Sequence, residues 1–310
     1  MKIVCLDAAT LGSDADLSEI ASLGEFESYE MTEPAQTAQR LADADVVITN
    51  KVLITDEIMA QTALKLICVS ATGTNNIDMQ AAQARGIAVK NVAGYSTNSV
   101  VQQTFASLFA LTNALGYYAD YGSSGKWCES EIFTHIDAPI SEIYGKEFGV
   151  IGLGQIGAKV ARIAAAFGAN VRYYSTSGAN DNGEFAKVSL DALLRACDII
   201  SIHAPLNEKT AGLIGEAELA KMKEGAILMN FGRGGIVDEE ALARAVDERG
   251  LRTALDVLQT EPMRADHPLL RVKNRRNVVI TPHIAWASVE ARKWLIKMIA
   301  QNIRDFMSGK

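Results

Sequence analysis

Three side chains of types suited to carbonyl chemistry each follow closely on a short apolar run. After residues 226–229 come Asn230-Phe231-Gly232-Arg233-Gly-Gly235. After 253–257 come Leu-Gln-Thr-Glu261-Pro262, and after 278–281 come Pro282-His283-Ile-Ala-Trp286. A planar guanidinium grips a carboxylate through two bonds and polarises a neighbouring carbonyl, so Arg233 reads as a substrate clamp. A histidine gives a proton to a carbonyl oxygen and withdraws it in the reverse direction, the role read for His283. Glu261 beside it favours the imidazolium and fixes its orientation. Asp256, still on its strand, is placed to accept a hydrogen bond from a carboxamide. Taken singly, each has a bland reading as a solvated loop residue. Their coincidence at successive strand ends reverses that reading and suits a small 2-keto or 2-hydroxy acid.

Such chemistry needs a hydride carrier. The run Phe148-Gly-Val-Ile-Gly152-Leu-Gly154-Gln155-Ile156-Gly157 places a glycine fingerprint between an apolar strand and an amphipathic stretch over 158–167. In that context Gly152 makes the tight turn, Gly154 lets the backbone approach a pyrophosphate, and Gly157 lets helix and strand pack closely. Gln155 and Ile156 open the helix whose positive end receives the pyrophosphate. The next strand is expected to end in an acid for the adenosine ribose, yet Ser175-Thr176-Ser177-Gly178 stands there. Hydroxyls bond either a ribose or a 2′-phosphate; without the acid NADP is less firmly excluded, and without an Arg or Lys following it is not favoured, so NAD is the expected cofactor and NADP the alternative. His203-Ala204-Pro205 follows another apolar run and is expected to line the cofactor cleft without doing chemistry. His135 and His267 show no comparable partners in sequence and read as structural.

The elements that must hold these residues alternate in a βαβ rhythm from end to end. Strands are expected at 3–6, 46–49, 66–69 and 87–89, with helices at 34–44, 55–63 and 78–85 between them. A longer helix is expected over 99–115, then a strand-poor stretch over 122–144. A second series has strands at 148–151, 171–174, 199–202, 226–229, 253–257 and 278–280, and a last helix over 288–307. The expectation is an α/β protein of two Rossmann-like doubly wound parallel-sheet domains. Residues 1–98 plus 288–310 form the substrate domain, and the dinucleotide domain, 99–287, is inserted into it. Two chain crossings make a hinge, so closure on bound ligands is expected.

At 310 residues with 48% hydrophobic and 22% charged side chains, the chain can bury its cores without staples. A net charge of -7 argues against nucleic-acid and anionic-membrane surfaces while leaving room for a local cation at a small anionic substrate. The four cysteines are scattered, with no metal-ligand spacing, so no metal is expected. Cys5, Cys68 and Cys197 lie in or beside apolar runs and read as buried hydrophobes. The N-terminal residues lack a signal-peptide core and no apolar run is long enough to span a bilayer, so a cytoplasmic address is expected.

The fingerprint, Asn230-Phe-Gly-Arg233-Gly-Gly235-Ile-Val-Asp238-Glu, Asp256-Val-Leu-Gln-Thr-Glu261-Pro262 and Thr281-Pro-His283 together resemble the D-isomer-specific 2-hydroxyacid dehydrogenases over essentially the whole chain. The resemblance implies an oxidoreductase acting on CH–OH donors with a catalytic set of Arg233, Glu261 and His283. It also implies an R-configured hydroxy acid and a homodimer. Ser70-Ala71-Thr72-Gly73-Thr-Asn-Asn76, residues 92–97 and Trp286 resemble the glycerate dehydrogenase (hydroxypyruvate reductase) branch. That similarity implies hydroxypyruvate or glyoxylate reduction to D-glycerate or glycolate, with the amides of Ala71, Thr72 and Gly73 meeting the substrate carboxylate opposite Arg233. Trp286 either shapes the pocket or packs, and Lys51 reads as solvated. Two residues depart from the family pattern: Phe231-Gly232 stands for the commoner Thr-Ala against the nicotinamide, and Ser175 for the usual Asp. The alternatives are a D-lactate dehydrogenase acting on pyruvate and a non-catalytic, NAD-sensing protein of the co-repressor kind.

Overall fold

The computed structural model describes residues 1–180 and 183–309. The chain divides into two compact units, one of residues 1–96 and 287–310, the other of residues 97–286.

The first unit is built on a five-stranded parallel sheet ordered β2-β1-β3-β4-β5. Its strands are β1 (Lys2–Cys5), β2 (Glu25–Ser28), β3 (Val46–Thr49), β4 (Leu66–Val69) and β5 (Ala88–Lys90). Every residue of β3 and β4 is buried, as expected of central strands covered on both faces. On one face Val4, Val47, Ile67 and Val69 pack with Ile54, Met59 and Ala82. The helix Val289–Met307 packs against β4 and buries Leu295, Ile296, Ile299 and Ile303. Ser288 caps it, accepting from the Ala291 amide at 3.1 Å. Each such buried aliphatic side chain contributes roughly 1.5–3 kcal/mol, so this stripe anchors the C-terminal helix.

Several sequence expectations shift here. The helix expected over 34–44 is a 3-10 turn, Pro34–Gln36, followed by a single α turn, Thr37–Arg40. The Thr55 and Asp78 caps stand, but their helices are short, Asp56–Ala60 and Met79–Ala84. Strand β2 was not expected, because Glu25-Phe-Glu-Ser28 carries one apolar residue and lies at the sheet edge.

The second unit holds a seven-stranded parallel sheet ordered β12-β11-β10-β9-β6-β7-β8. Its strands are β6 (Glu147–Ile151), β7 (Asn170–Tyr174), β8 (Ala186–Lys187), β9 (Ile199–Ile202), β10 (Ile227–Asn230), β11 (Arg252–Leu255) and β12 (Val278–Ile280). The seventh, β8, is two residues long and leaves no periodic trace in sequence. Alternate residues feed two cores. Phe148, Val150, Ile199, Ile227 and Met229 face one side, where the helices Thr97–Thr112 and Gln155–Ala166 lie. Ile151, Ile200, Ile202 and Leu228 face the other, with Leu193, Leu242 and Val246.

Cys5, Cys68 and Cys197 are buried, and burial pushes each thiol up to about 12, so they stay protonated and inert. Among the described residues no helix is long and apolar enough to cross a membrane.

Candidate active site

The backbone ladder of the second sheet runs one bond past each strand. His203 N donates to Ile151 O, Phe231 N to Ile202 O, Asp256 N to Asn230 O and Thr281 N to Leu255 O, at 2.8–3.1 Å. The polar loops therefore leave one rim of the sheet together, beyond the carboxyl ends of the strands, where open α/β sheets take ligands.

The fingerprint turn opens this rim. Gly152 has φ +90°, and a Cβ there would lie 2.9 Å from the Ala204 amide. A Cβ on Gly157 would lie 2.1 Å from Gly152 O, whereas Gly154 faces open space. The helix that follows, Gln155–Ala166, has no acid in its first turn, which leaves its positive end free for an anion. Gln155 is exposed and Ile156 half-buried beside that opening.

The Arg233 turn is closed by Asn230, a buried residue whose part the sequence reading missed. Its Oδ1 accepts from Gly232 N at 3.0 Å and its Nδ2 donates to Arg233 O at 2.8 Å. An asparagine that ends a strand and precedes a glycine turn was the available signal. Arg233 is half-buried, with Nη1 donating to Gly232 O at 2.9 Å. A Cβ on Gly234 would sit 1.9 Å from Leu258 O, so the arginine turn rests directly on the segment leading to Glu261.

Glu261 joins two elements. Its Oε1 accepts from Leu258 N at 3.0 Å, and its Oε2 lies 2.7 Å from His283 Nδ1. A carboxylate only accepts, so Nδ1 carries the hydrogen in this pair. His283 has φ +52°, in the left-handed region that side-chain-bearing residues seldom adopt. Asp256 holds it there. Its buried carboxylate accepts from Thr281 Oγ1 at 2.6 Å, Ile284 N at 3.0 Å and Ala285 N at 2.9 Å, while its carbonyl takes His283 N at 2.9 Å. The sequence reading gave Asp256 only a carboxamide contact; the structure gives it the His283 loop, with one carboxylate lone-pair site still unassigned. Trp286 ends this loop, half-buried.

The other histidines differ. Nε2 of His203 lies 2.8 Å from Ser201 Oγ, Nδ1 is buried with no partner among the described residues, and the ring stacks on Phe231 at 6.5 Å. Burial pushes its pKa down to about 3, so it stays neutral. His267 and His135 have partners that local sequence does not display, and these contacts serve the fold. His267 Nε2 lies 2.8 Å from Glu239 Oε2 while Nδ1 accepts from Leu269 N at 3.3 Å. His135 Nε2 lies 2.7 Å from Tyr117 Oη, and its ring stacks on Tyr121 at 3.7 Å. The chain folds each acid or phenol beside its histidine from 14–28 residues away, beyond what local spacing reveals.

In the first unit, residues 71–73 follow β4. None of the amides of Ala71, Thr72 and Gly73 donates to another described residue, and the Ser70 hydroxyl is buried without a partner. The loop is held from beside it: Thr72 Oγ1 donates to Val92 O at 3.1 Å and Asn91 Nδ2 to Thr72 O at 2.6 Å. Three free amides in succession make an anion cradle.

The profile described as "D-isomer specific 2-hydroxyacid dehydrogenase, NAD binding domain" matches residues 105–285. A hydroxypyruvate reductase of Blautia hydrogenotrophica is 36% identical over 100% of this chain and 98% of its own length. A glycerate dehydrogenase of Methylorubrum extorquens is 37% identical over 100% and 97%. The solved D-lactate dehydrogenase of Aquifex aeolicus, complexed with NAD and lactic acid, superposes with a TM-score of 0.84 at 26% identity, covering 100% of this chain and 96% of that one. The open Gly154 and the buried Ser175 hydroxyl, which has no partner among the described residues, fit a bound dinucleotide. The chain belongs to the D-isomer-specific 2-hydroxyacid dehydrogenase family, oxidoreductases of CH–OH donors whose cofactor is NAD(P).

Proposed function

We propose that the protein reduces hydroxypyruvate, or glyoxylate, to D-glycerate or glycolate, with Arg233, Glu261 and His283 as its catalytic set. The observation that carries this reading is the 2.7 Å pair between His283 Nδ1 and Glu261. It occupies one ring nitrogen and leaves Nε2 to exchange a proton with substrate. The relatives' names direct the choice of substrate.

The bound nicotinamide supplies the hydride in reduction and takes it up in oxidation. His283 holds the proton on Nε2 and gives it to the carbonyl oxygen in reduction. Glu261, 2.7 Å from Nδ1, fixes the orientation of the ring. The Arg233 fork suits the substrate carboxylate, and the Ala71, Thr72 and Gly73 amides suit an anion of the same kind. Gly152, Gly154, Gln155, Ile156 and Gly157 take the pyrophosphate, and Ser175 and Thr176 the adenosine ribose. His203, Ala204, Pro205, Phe231 and Gly232 line the cofactor site, the remaining lone pair of Asp256 meets the carboxamide, and Trp286 bounds the substrate.

The test is nicotinamide absorbance decay with hydroxypyruvate, glyoxylate and pyruvate, in the wild type and in His283→Asn. The expected result is preference for hydroxypyruvate or glyoxylate, with kcat lowered about 10²–10⁴-fold in the variant. Preference for pyruvate would overturn the substrate assignment, and an unaffected variant the role of His283.

The finer partner reading is a homodimer, at a cytoplasmic address. Trp127, Ile132, Phe133, Ile136, Ile140 and Tyr144 are 55–89% exposed within one short segment, an apolar concentration that monomers seldom leave in water. Sedimentation showing a monomer at micromolar concentration would overturn it.

A further inference from the structure

In this architecture the strand after the fingerprint turn delivers its last residues to the adenosine ribose, where a carboxylate selects the 2′-hydroxyl and a cation accommodates a 2′-phosphate. Residues 175–180, Ser-Thr-Ser-Gly-Ala-Asn, carry no carboxylate. The loop is tied to the fingerprint: Asn180 Nδ2 donates to Leu153 O at 3.2 Å, and Tyr173 Oη to Asn180 O at 2.9 Å. Ser175 is 6% exposed, and its hydroxyl has no partner among the described residues. Gly178, at φ +77°, turns the loop back.

A cation reaches this loop by strand pairing. Edge strand β8 lies parallel to β7 with Tyr173 opposite Lys187. The Lys187 ammonium then donates to Gly178 O at 2.8 Å. An ammonium has three donors, and this bond uses one. The nearby acid Glu184 is already engaged by the Arg162 fork at 2.8–3.0 Å.

We propose that this chain favours the 2′-phosphorylated dinucleotide, NADPH, with Lys187 as the residue that sets the preference and the Ser175 hydroxyl as a further contact. The inference rests on the dinucleotide site described above and goes beyond it in naming the form of the cofactor. The 2′-phosphate brings a charge of roughly −1.5 to −2 to a loop that offers a cation and hydroxyls and no opposing acid among residues 175–180. The carbonyl bond already confines the ammonium, so less side-chain freedom is lost when the phosphate arrives. Lys187 is exposed, so the preference weakens as salt rises.

The test is equilibrium binding of NADPH and NADH to the intact protein by nucleotide fluorescence, at low and high salt, in the wild type, Lys187→Gln, Lys187→Arg and Ser175→Asp. The wild type is expected to bind NADPH about 10-fold tighter than NADH, a ratio that shrinks in high salt. Lys187→Gln should bring the ratio near one through lost NADPH affinity, Lys187→Arg should restore it, and Ser175→Asp should invert it. Equal or tighter binding of NADH by the wild type, or a ratio unchanged in Lys187→Gln, overturns the inference while leaving the dinucleotide site standing. Binding of neither dinucleotide overturns both.

Discussion

His283 and His267 each lie beside a glutamate, at 2.7 and 2.8 Å, yet their second nitrogens differ in what they can do. Nδ1 of His267 takes the Leu269 amide, so both nitrogens of that ring serve the fold. Glu261 holds Nδ1 of His283, and replacing the acid should loosen the ring. Glu261→Gln is expected to lower kcat for reduction on the order of 10²-fold, measured by steady-state kinetics. His203 makes a separate prediction. Its folded pKa of about 3 lies below the ordinary 6.5, so the unfolded chain binds more protons between these values. Its contribution to stability is complete above pH 6.5 and is lost as pH falls towards 3. His203→Asn should therefore show a smaller fall in urea midpoint between pH 7.5 and 5 than the wild type. The residue types of the candidate site were legible because each follows an apolar run. Lys187 was not, because only the pairing of a two-residue strand carries it back to the ribose loop.

Among the elements, the loops after β10, β11 and β12 are fixed to one another by contacts that no single loop's sequence displays. The Gly234–Leu258 approach leaves no room for a methyl group. Gly234→Ala is expected to push the arginine and glutamate turns apart by about 1 Å and cost on the order of 10²-fold in kcat/KM. The Asp256 carboxylate plays the same part for the His283 loop. Asp256→Ala would strand the Ile284 and Ala285 amides, and a Tm loss on the order of 5–10 °C is expected by calorimetry. Sequence reasoning found these strands because they are continuous apolar runs, the mark of a parallel sheet buried on both faces. It missed β2 and β8, edge strands without such a run, and overran the helix at 34–44, where Pro34 starts a tight turn that the periodicity does not register.

At the scale of the whole molecule, every proposed cofactor residue lies within the continuous unit 97–286, whereas Ala71, Thr72 and Gly73 lie outside it. A chain carrying residues 97–286 alone is expected to bind dinucleotide, by fluorescence titration, and to turn over no keto acid; failure to bind would show that the unit depends on the rest of the chain. The two parallel sheets followed from the βαβ rhythm, because that rhythm leaves few topologies for a chain to adopt. The first unit is completed by the helix Val289–Met307, which packs on β4 although about 190 residues separate its two segments. On the ribosome, β4 therefore emerges long before its cover. At ordinary elongation rates of about 5–20 residues per second, the apolar surface that receives Leu295, Ile299 and Ile303 stays bare for about 10–40 s. In that interval the uncovered face of β4 is open to a chaperone or to a neighbouring chain.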